Sequence, residues 1–516
     1  MSRRHQHRIR GPWPGGDGPR KPDRPIATPA RPRLLLAGLL ALGGCEVGPD
    51  YHAPRLVLGP LHGAVAARGV PAAQAPSLDT WWTGFDDPTL VRLVRRALAQ
   101  NLDLAAALAR VQQARAGAGG AAAQLLPTVD ATADATALRQ SLTTPLGAAT
   151  RFLGLHRDQR LLDLGISASW EIDVAGGLRR NEEAADAIAQ AADADADGAR
   201  VTVAADVADA YFQIRRDQAR VATIQEQVAT DAHLRDLVQQ LRDRGVGDER
   251  QAAQAEAVLQ QANAALPPLR IEIEEQLNRL DVLLGEQPGT EAAALSAPSP
   301  LPAIPAIPVT NEPTDFLRRR PDVIAAERRL AASSARIGVA LSDYYPKLSL
   351  SGLVGFDSLN VNHLLTAASF QPQATGAIRW RIFDFGKVDA EVRTARGAEA
   401  EALARYRETV LRAAEDVEDS LRAVVELDIR TARLEAEVAS LQRARDLSQQ
   451  AFAAGAIPLT DVLDADRQLL DARDILAETR GDAVRAAVRS FRALGGGWPG
   501  AHTAPRRSAP LTMSAS

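Results

Sequence analysis

Asp461 and Asp464, in Thr460-Asp-Val-Leu-Asp464, are the pair of side chains most able to do chemistry among the 516 residues. Three positions apart near the start of a helical stretch, they lie on neighbouring positions of one helix face. Two carboxylates held together can share a proton, attract cations or repel one another. Hydrolysis by such a pair needs companions the chain does not supply: no His, Ser nucleophile motif or glycine-rich phosphate site accompanies them. Gly495-Gly-Gly497 lacks the following Lys-Ser/Thr and a preceding strand, so it is not a phosphate loop. Asp is also favoured at helix starts by the helix dipole alone, as part of a solvated face. The eight His form no close pair after residue 7, and there is one Cys. No sequence-local metal site or disulfide framework is therefore visible, and neither a cofactor nor enzymatic activity is expected.

That single thiol, Cys45, has its own context. Arg31 and Arg33 precede the apolar stretch 34–42, which runs through Gly43-Gly44 into Cys45. A basic region, a short apolar core and small residues are the order of an export signal. Leu42 at −3 and Gly44 at −1 look like a bacterial lipobox, which makes Cys45 a lipidation site and the first mature residue. The extension from Ser2 to Pro32 is atypically long for a signal, and residues 1–44 are set apart as a lipoprotein signal peptide. Glu46 is not the Asp that typically retains lipoproteins in the inner membrane, which favours the outer membrane. Residues 1–44 carry nine Lys/Arg and two Asp; the remainder is acidic by 11 charges, a poor match for nucleic acid. No apolar run approaches the roughly 20 residues of a spanning helix.

The mature chain repeats itself once. Leu126-Pro-Thr-Val-Asp130 matches Tyr345-Pro-Lys-Leu-Ser349, Ser169-Trp-Glu-Ile-Asp173 matches Arg379-Trp-Arg-Ile-Phe383, and Gly245 matches Gly455. Within each copy strict alternation marks two strands, about 127–138 and 162–174, then about 347–357 and 373–384. Val129, Ala131, Ala133 and Ala135 oppose Thr128, Asp130, Thr132 and Asp134; Leu164, Ile166, Ala168 and Trp170 oppose Asp163, Ser167 and Ser169. Each strand has roughly the 9–11 residues that cross a bilayer at a tilt. Four strands cannot close a barrel, and an open sheet edge in hydrocarbon is costly, so a membrane reading demands several chains; three would supply twelve strands.

The strands are followed by long helical stretches, about 177–244 and 387–454, then return helices of about 248–284 and 458–494. A 67-residue helix reaches roughly 100 Å. The turns between them carry Gly245, Gly247 and Gly455, the expected hairpin tips. The copies thus span 45–284 and 314–498, joined by a Pro/Ala-rich linker at 285–313 and followed by a tail at 499–516 expected to be disordered. The fold class is mainly α with a membrane β-barrel and a duplicated unit. A lipid-anchored periplasmic coiled-coil protein without a pore is the alternative that the pattern leaves open. Trp81-Trp82 reads as a packed anchor, Trp170 and Trp380 as girdle or core residues, and Arg318-Arg-Arg320 as a solvated charge run before a helix start at Pro321.

Cys45-Glu-Val-Gly-Pro-Asp-Tyr-His-Ala-Pro54, Trp81-Trp-Thr-Gly-Phe-Asp-Asp-Pro-Thr-Leu90, Leu317-Arg-Arg-Arg-Pro-Asp-Val323, Ala326-Glu-Arg-Arg-Leu330, Ala335-Arg-Ile-Gly338 and Ala493-Leu-Gly-Gly-Gly-Trp498 resemble the TolC-like outer-membrane efflux family, in its lipoprotein branch. The resemblance implies a homotrimer with a 12-stranded β-barrel continuous with a 12-helix α-barrel, and an equatorial belt built from residues around 45–100, the linker and the carboxyl end. It implies a passive exit duct for small molecules in the outer membrane, with a periplasmic adaptor and an RND-type inner-membrane transporter as partners. It also implies that Asp461 and Asp464 line a periplasmic aperture. Arg250-Gln251 departs from the family, where an apolar–Asp pair is common.

Overall fold

The computed structural model describes residues 46–55, 59, 76–154, 156–308 and 316–500. The expected signal, Cys45, the end of the linker and nearly all of the expected tail lie outside the described residues. A 310 turn, Leu78–Phe85, leads into helices α1 (Pro88–Gln100) and α2 (Leu102–Ala123). Strand β1 (Thr128–Arg139), a short helix α3 (Pro145–Phe152) and strand β2 (Asp158–Ile172) follow. The first hairpin is α4 (Gly177–Asp243), α5 (Glu249–Ala264) and α6 (Leu266–Leu283). After the linker come α7 (Pro321–Ser342), β3 (Lys347–Ser358), β4 (Phe370–Arg379), α8 (Lys387–Ala453) and α9 (Leu459–Ala493). No helix among the described residues is long and apolar enough to cross a membrane.

The duplication persists in detail. Both long helices, α4 and α8, have 67 residues and start after a glycine in the left-handed region, Gly176 (φ 78°) and Gly386 (φ 83°). Trp170 donates its indole N–H to the Leu125 carbonyl (2.8 Å), and Trp380 does the same to the Tyr344 carbonyl (3.0 Å). Both rings are substantially exposed, so neither is a core residue.

The four strands form one antiparallel sheet in the order β1-β2-β3-β4. Its register sorts side chains by polarity. Val129, Ala131 and Ala133 pair with Ala168, Ile166 and Leu164, and Leu164, Ile166 and Trp170 in turn face Phe356, Val354 and Leu350. Phe356 continues the row to Phe370 on β4. The intervening positions pair Thr128 with Ser169, Asp130 with Ser167 and Asp134 with Asp163, then Asp163 with Asp357. Because successive side chains leave opposite faces, one face is apolar and the other polar. β1 and β4 are the edges, and both are exposed along their whole length.

The largest core gathers distant segments. Trp81 and Phe85 of the 310 turn, Leu90 and Leu93 of α1, Tyr211 and Phe212 of α4, Leu280 of α6, Leu295 of the linker and Phe491 of α9 pack together. Trp81 stacks on Phe491 with 5.3 Å between centroids and 6° between planes. The Tyr211 hydroxyl donates to Asp87 Oδ2 (2.6 Å), while Asp87 Oδ1 accepts the Thr89 and Leu90 amides and so caps α1. Buried Asp281 accepts the Gly289, Thr290 and Glu291 amides and fixes the start of the linker. Gly497 brings the end of the described chain onto this core, its amide donating to the Leu78 carbonyl (2.8 Å).

Several local expectations give way. The first return helix is two, α5 and α6, because Pro267-Pro268 supply no amide donors and serve instead as a new helix start after Ala265. β4 ends at Arg379, opposite Lys347 where β3 begins, rather than continuing to about 384. Arg318-Arg-Arg320 is not a solvated face. Only Arg318 is exposed. Arg319 pairs with Asp79 and donates to the Gly495 and Trp498 carbonyls, while buried Arg320 pairs with Asp322 (2.7 Å) and Asp416 (2.8 Å) and reaches the Ala413 and Ala493 carbonyls.

Candidate functional site

The two hairpins end in differently built turns. In the first, Gly245 (φ 75°) reverses the chain, and the Val246 and Gly247 amides both return to the Leu241 carbonyl. A β-carbon at this φ costs roughly 1–2 kcal/mol, which is why glycine stands here. Asp248 and Gln251 then cap α5 reciprocally: the Gln251 amide donates to Asp248 Oδ1 (2.8 Å), and Gln251 Oε1 accepts the Asp248 amide (3.3 Å). The unusual Arg250-Gln251 pair is thus explained in part, since Gln251 completes a capping box and Arg250 stands 3.6 Å from Asp248. In the second tip, Gly455 (φ 72°) donates to the Phe452 carbonyl and Ala456 to the Ala451 carbonyl. Pro458 precedes α9 with no side-chain cap.

Asp461 and Asp464 occupy the first turns of α9, and both are exposed. Between them Val462 and Leu463 face inward, joining Leu459, Leu234, Val238, Ala252 and Ala255 in an apolar cluster that holds the two tips together. That packing is what turns the two carboxylates outward on one face. They are not equivalent. Asp464 accepts from Arg467 Nη2 (2.7 Å) and Gln468 Nε2 (2.6 Å), whereas the Asp461 carboxylate accepts, among the described residues, a longer 3.4 Å hydrogen bond from the Thr460 hydroxyl. Of the two, Asp461 is the carboxylate left without a cationic side-chain partner among the described residues. It holds no general acid–base partner, and no group of metal-ligating side chains occurs among the described residues.

Behind the tip lies a charged group that the sequence pattern conceals. Asp231 on α4 is 2% exposed and Asp466 on α9 fully buried. Arg445 Nε on α8 stands 2.9 Å from Asp466 Oδ1. Each Asp falls on the apolar beat of its helix, Val228-Asp231-Leu234 and Leu463-Asp466-Leu469; an acid in such a slot is the signal that could have found them.

At the sheet end, the segment after Cys45 is docked where β2 passes into α4. The Val47 amide donates to the Ala175 carbonyl (3.1 Å), and Arg180 pairs with Asp50 (2.7 Å) and Glu183 (2.7 Å) while reaching the Val47 carbonyl. Gly48 packs so closely on Gly338 that a β-carbon would lie 2.5 Å from the Gly338 Cα.

A sheet with one apolar face and two open edges, continued by paired long helices, defines a subunit of a membrane duct. Comparison with known proteins makes this specific. Residues 93–286 and 313–496 match the outer membrane efflux protein family, and the chain belongs to it. It is 32% identical over 476 residues to the pyoverdine export outer membrane protein OpmQ of Pseudomonas aeruginosa, covering 90% of this chain and 96% of that one. Nodulation protein T of Rhizobium leguminosarum bv. trifolii is 31% identical over 435 residues, covering 83% of this chain and 90% of that protein. The solved structure of the outer-membrane channel OprN superposes with a TM-score of 0.82 at 34% identity, covering 88% of this chain and all of that one. The chain is therefore an outer-membrane efflux channel protein, and the pore-less spacer gains no support from these relatives.

Proposed function

We propose that three copies of this chain close one passive exit duct, a barrel of strands in the outer membrane running into a barrel of helices in the periplasm. The observation that carries this reading is the pair of open edges, β1 and β4, on a sheet with one apolar face. Each unpaired backbone group in hydrocarbon costs several kcal/mol, so β1 of one copy must meet β4 of the next. The apolar face then meets lipid and the polar face lines the lumen. Acylation of Cys45 would anchor the chain to outer-membrane lipid, and docking of Glu46–Asp50 at the sheet–helix junction supports that reading. The hairpin tips face a periplasmic adaptor and, beyond it, an RND-type inner-membrane transporter that fills the duct. Asp461 and Asp464, brought together by the symmetry axis, form its cation-attracting aperture, and Gly245, Gly247 and Gly455 shape the tips.

Purified full-length protein tests this in two ways. Heat-modifiable trimers and single-channel conductance in planar bilayers are expected; a monomer in mild detergent without conductance overturns the duct. Asp461→Asn combined with Asp464→Asn is expected to lower the cation preference, and an unchanged preference removes the aperture assignment.

A further inference from the structure

The charges behind the tip do not balance. Asp466 and Asp231 are both more than nine-tenths buried, while the side chain of Arg445, 16% exposed, is the cation that pairs with Asp466. Arg445 Nε pairs with Asp466 Oδ1 at 2.9 Å, but among the described residues no hydrogen bond reaches Asp466 Oδ2 or Asp231 Oδ2. Asp231 Oδ1 accepts from Gln227 Nε2 (2.8 Å) on its own helix. From α8, half-exposed Asp446 accepts from Arg445 Nη1 (3.1 Å) and from Gln442 (2.9 Å), which in turn accepts from Arg473 of α9. From α5, Glu256 is engaged by Arg235 of α4 (3.2 Å). Two buried carboxylates thus face one guanidinium whose other contacts include a third acid. A buried carboxylate without a full partner keeps a proton rather than its charge.

We propose that Asp231, Asp466 and Arg445 form a proton-responsive latch that positions the Asp461–Asp464 aperture, keeping the α8–α9 hairpin docked on α4 while one carboxyl is protonated and loosening it when both ionise. The latch rests on the aperture reading, because Asp466 lies on the same helix two residues beyond Asp464. All three residues act through the hairpin and touch no cargo. Burial pushes Asp231 up to about 6, with Asp466 adding to the rise and Gln227 and Arg445 opposing it. Burial raises Asp466 as well, against the pull of Arg445. A carboxyl whose pKa is raised in the docked state contributes stability at low pH that is lost as pH rises through the raised value. The tip is therefore tighter at pH 5 than at pH 8.

The open fraction of full-length trimers in planar bilayers, measured from pH 5 to 8, tests this. It is expected to rise about tenfold across a midpoint near pH 6, the change carried by one pKa unit. Asp231→Asn, nearly the same shape, is expected to abolish the step and hold the channel near its low-pH behaviour. A wild-type channel with no step, or a step unchanged in Asp231→Asn, overturns the latch. Asp461→Asn with Asp464→Asn is expected to keep the step while changing cation preference; a step that persists without a change in preference sinks the aperture and leaves the latch standing. Spin labels at exposed Leu237 of α4 and Leu447 of α8 give a readout independent of conductance. Their separation is expected to widen between pH 5 and 8 in wild type only; widening that also occurs in Asp231→Asn refutes the assignment.

Discussion

Leu459→Ala probes the packing that holds the two tips together. Leu459 opens α9, is 1% exposed, and lies in the cluster with Leu234, Val238, Ala252, Ala255, Val462 and Leu463. Leu→Ala in a packed core costs about 2–5 kcal/mol, depending on how far the site collapses. The cluster is small and sits beside a turn, so collapse is easy and the lower part of that range, about 2–3 kcal/mol, applies. Nearly all of it falls on docking of the α8–α9 tip, because both helices keep their other contacts. At 1.36 kcal/mol per factor of ten, the open fraction of the channel rises roughly 30- to 150-fold. Planar-bilayer recording measures this directly, and passage of a large antibiotic that the closed duct excludes measures it in cells. Leu447→Ala, at a position 64% exposed, is the control and changes neither. Leu234→Ala faces the same cluster and combines with Leu459→Ala less than additively. A Leu459→Ala trimer as closed as wild type, with assembly intact, would refute the idea that apolar contact between the hairpins keeps the tip shut.

Two further perturbations act at the other end. Gly48→Ala combines a φ of 109° with a 2.5 Å approach to the Gly338 Cα; it is expected to release residues 46–52 and raise their amide hydrogen exchange at least tenfold, without unfolding the helical barrel. Asp134, Asp163 and Asp357 lie in one cross-strand row, and like charges directly opposite destabilise a sheet by about 0.2–1 kcal/mol per pair. Asp163→Asn is expected to raise the trimer's melting temperature slightly and to weaken cation preference in bilayer recordings.

The sheet and the long helices were legible because each obeys one period over many residues. β1 alternates from Thr128 to Ala137 since one face meets apolar partners and the other does not, and α4 and α8 run for 67 residues without a proline. The Pro267-Pro268 break was missed because proline is excluded from a helix interior yet welcome at the first turn of a new one. Arg320 read as surface because, beyond nearby Asp322, its charge is satisfied by Asp416 and two carbonyls that are all distant in sequence. Asp231 and Asp466 stayed hidden for a related reason: a pattern that assigns every carboxylate to solvent cannot register one that takes a leucine's place in a helix seam. The exposed pair at Asp461 and Asp464 could be located from spacing, but the Arg467 contact that sets them apart depends on rotamers.

The unpaired borders of the sheet carry a consequence for heredity. If every subunit must offer β1 to one neighbour and β4 to the other, a chain spoiled at either border ruins the ring it joins. With equal expression of intact and spoiled copies, only about one ring in eight escapes, as random mixing in a threefold cyclic assembly requires. Lesions at these borders are therefore expected to act dominantly.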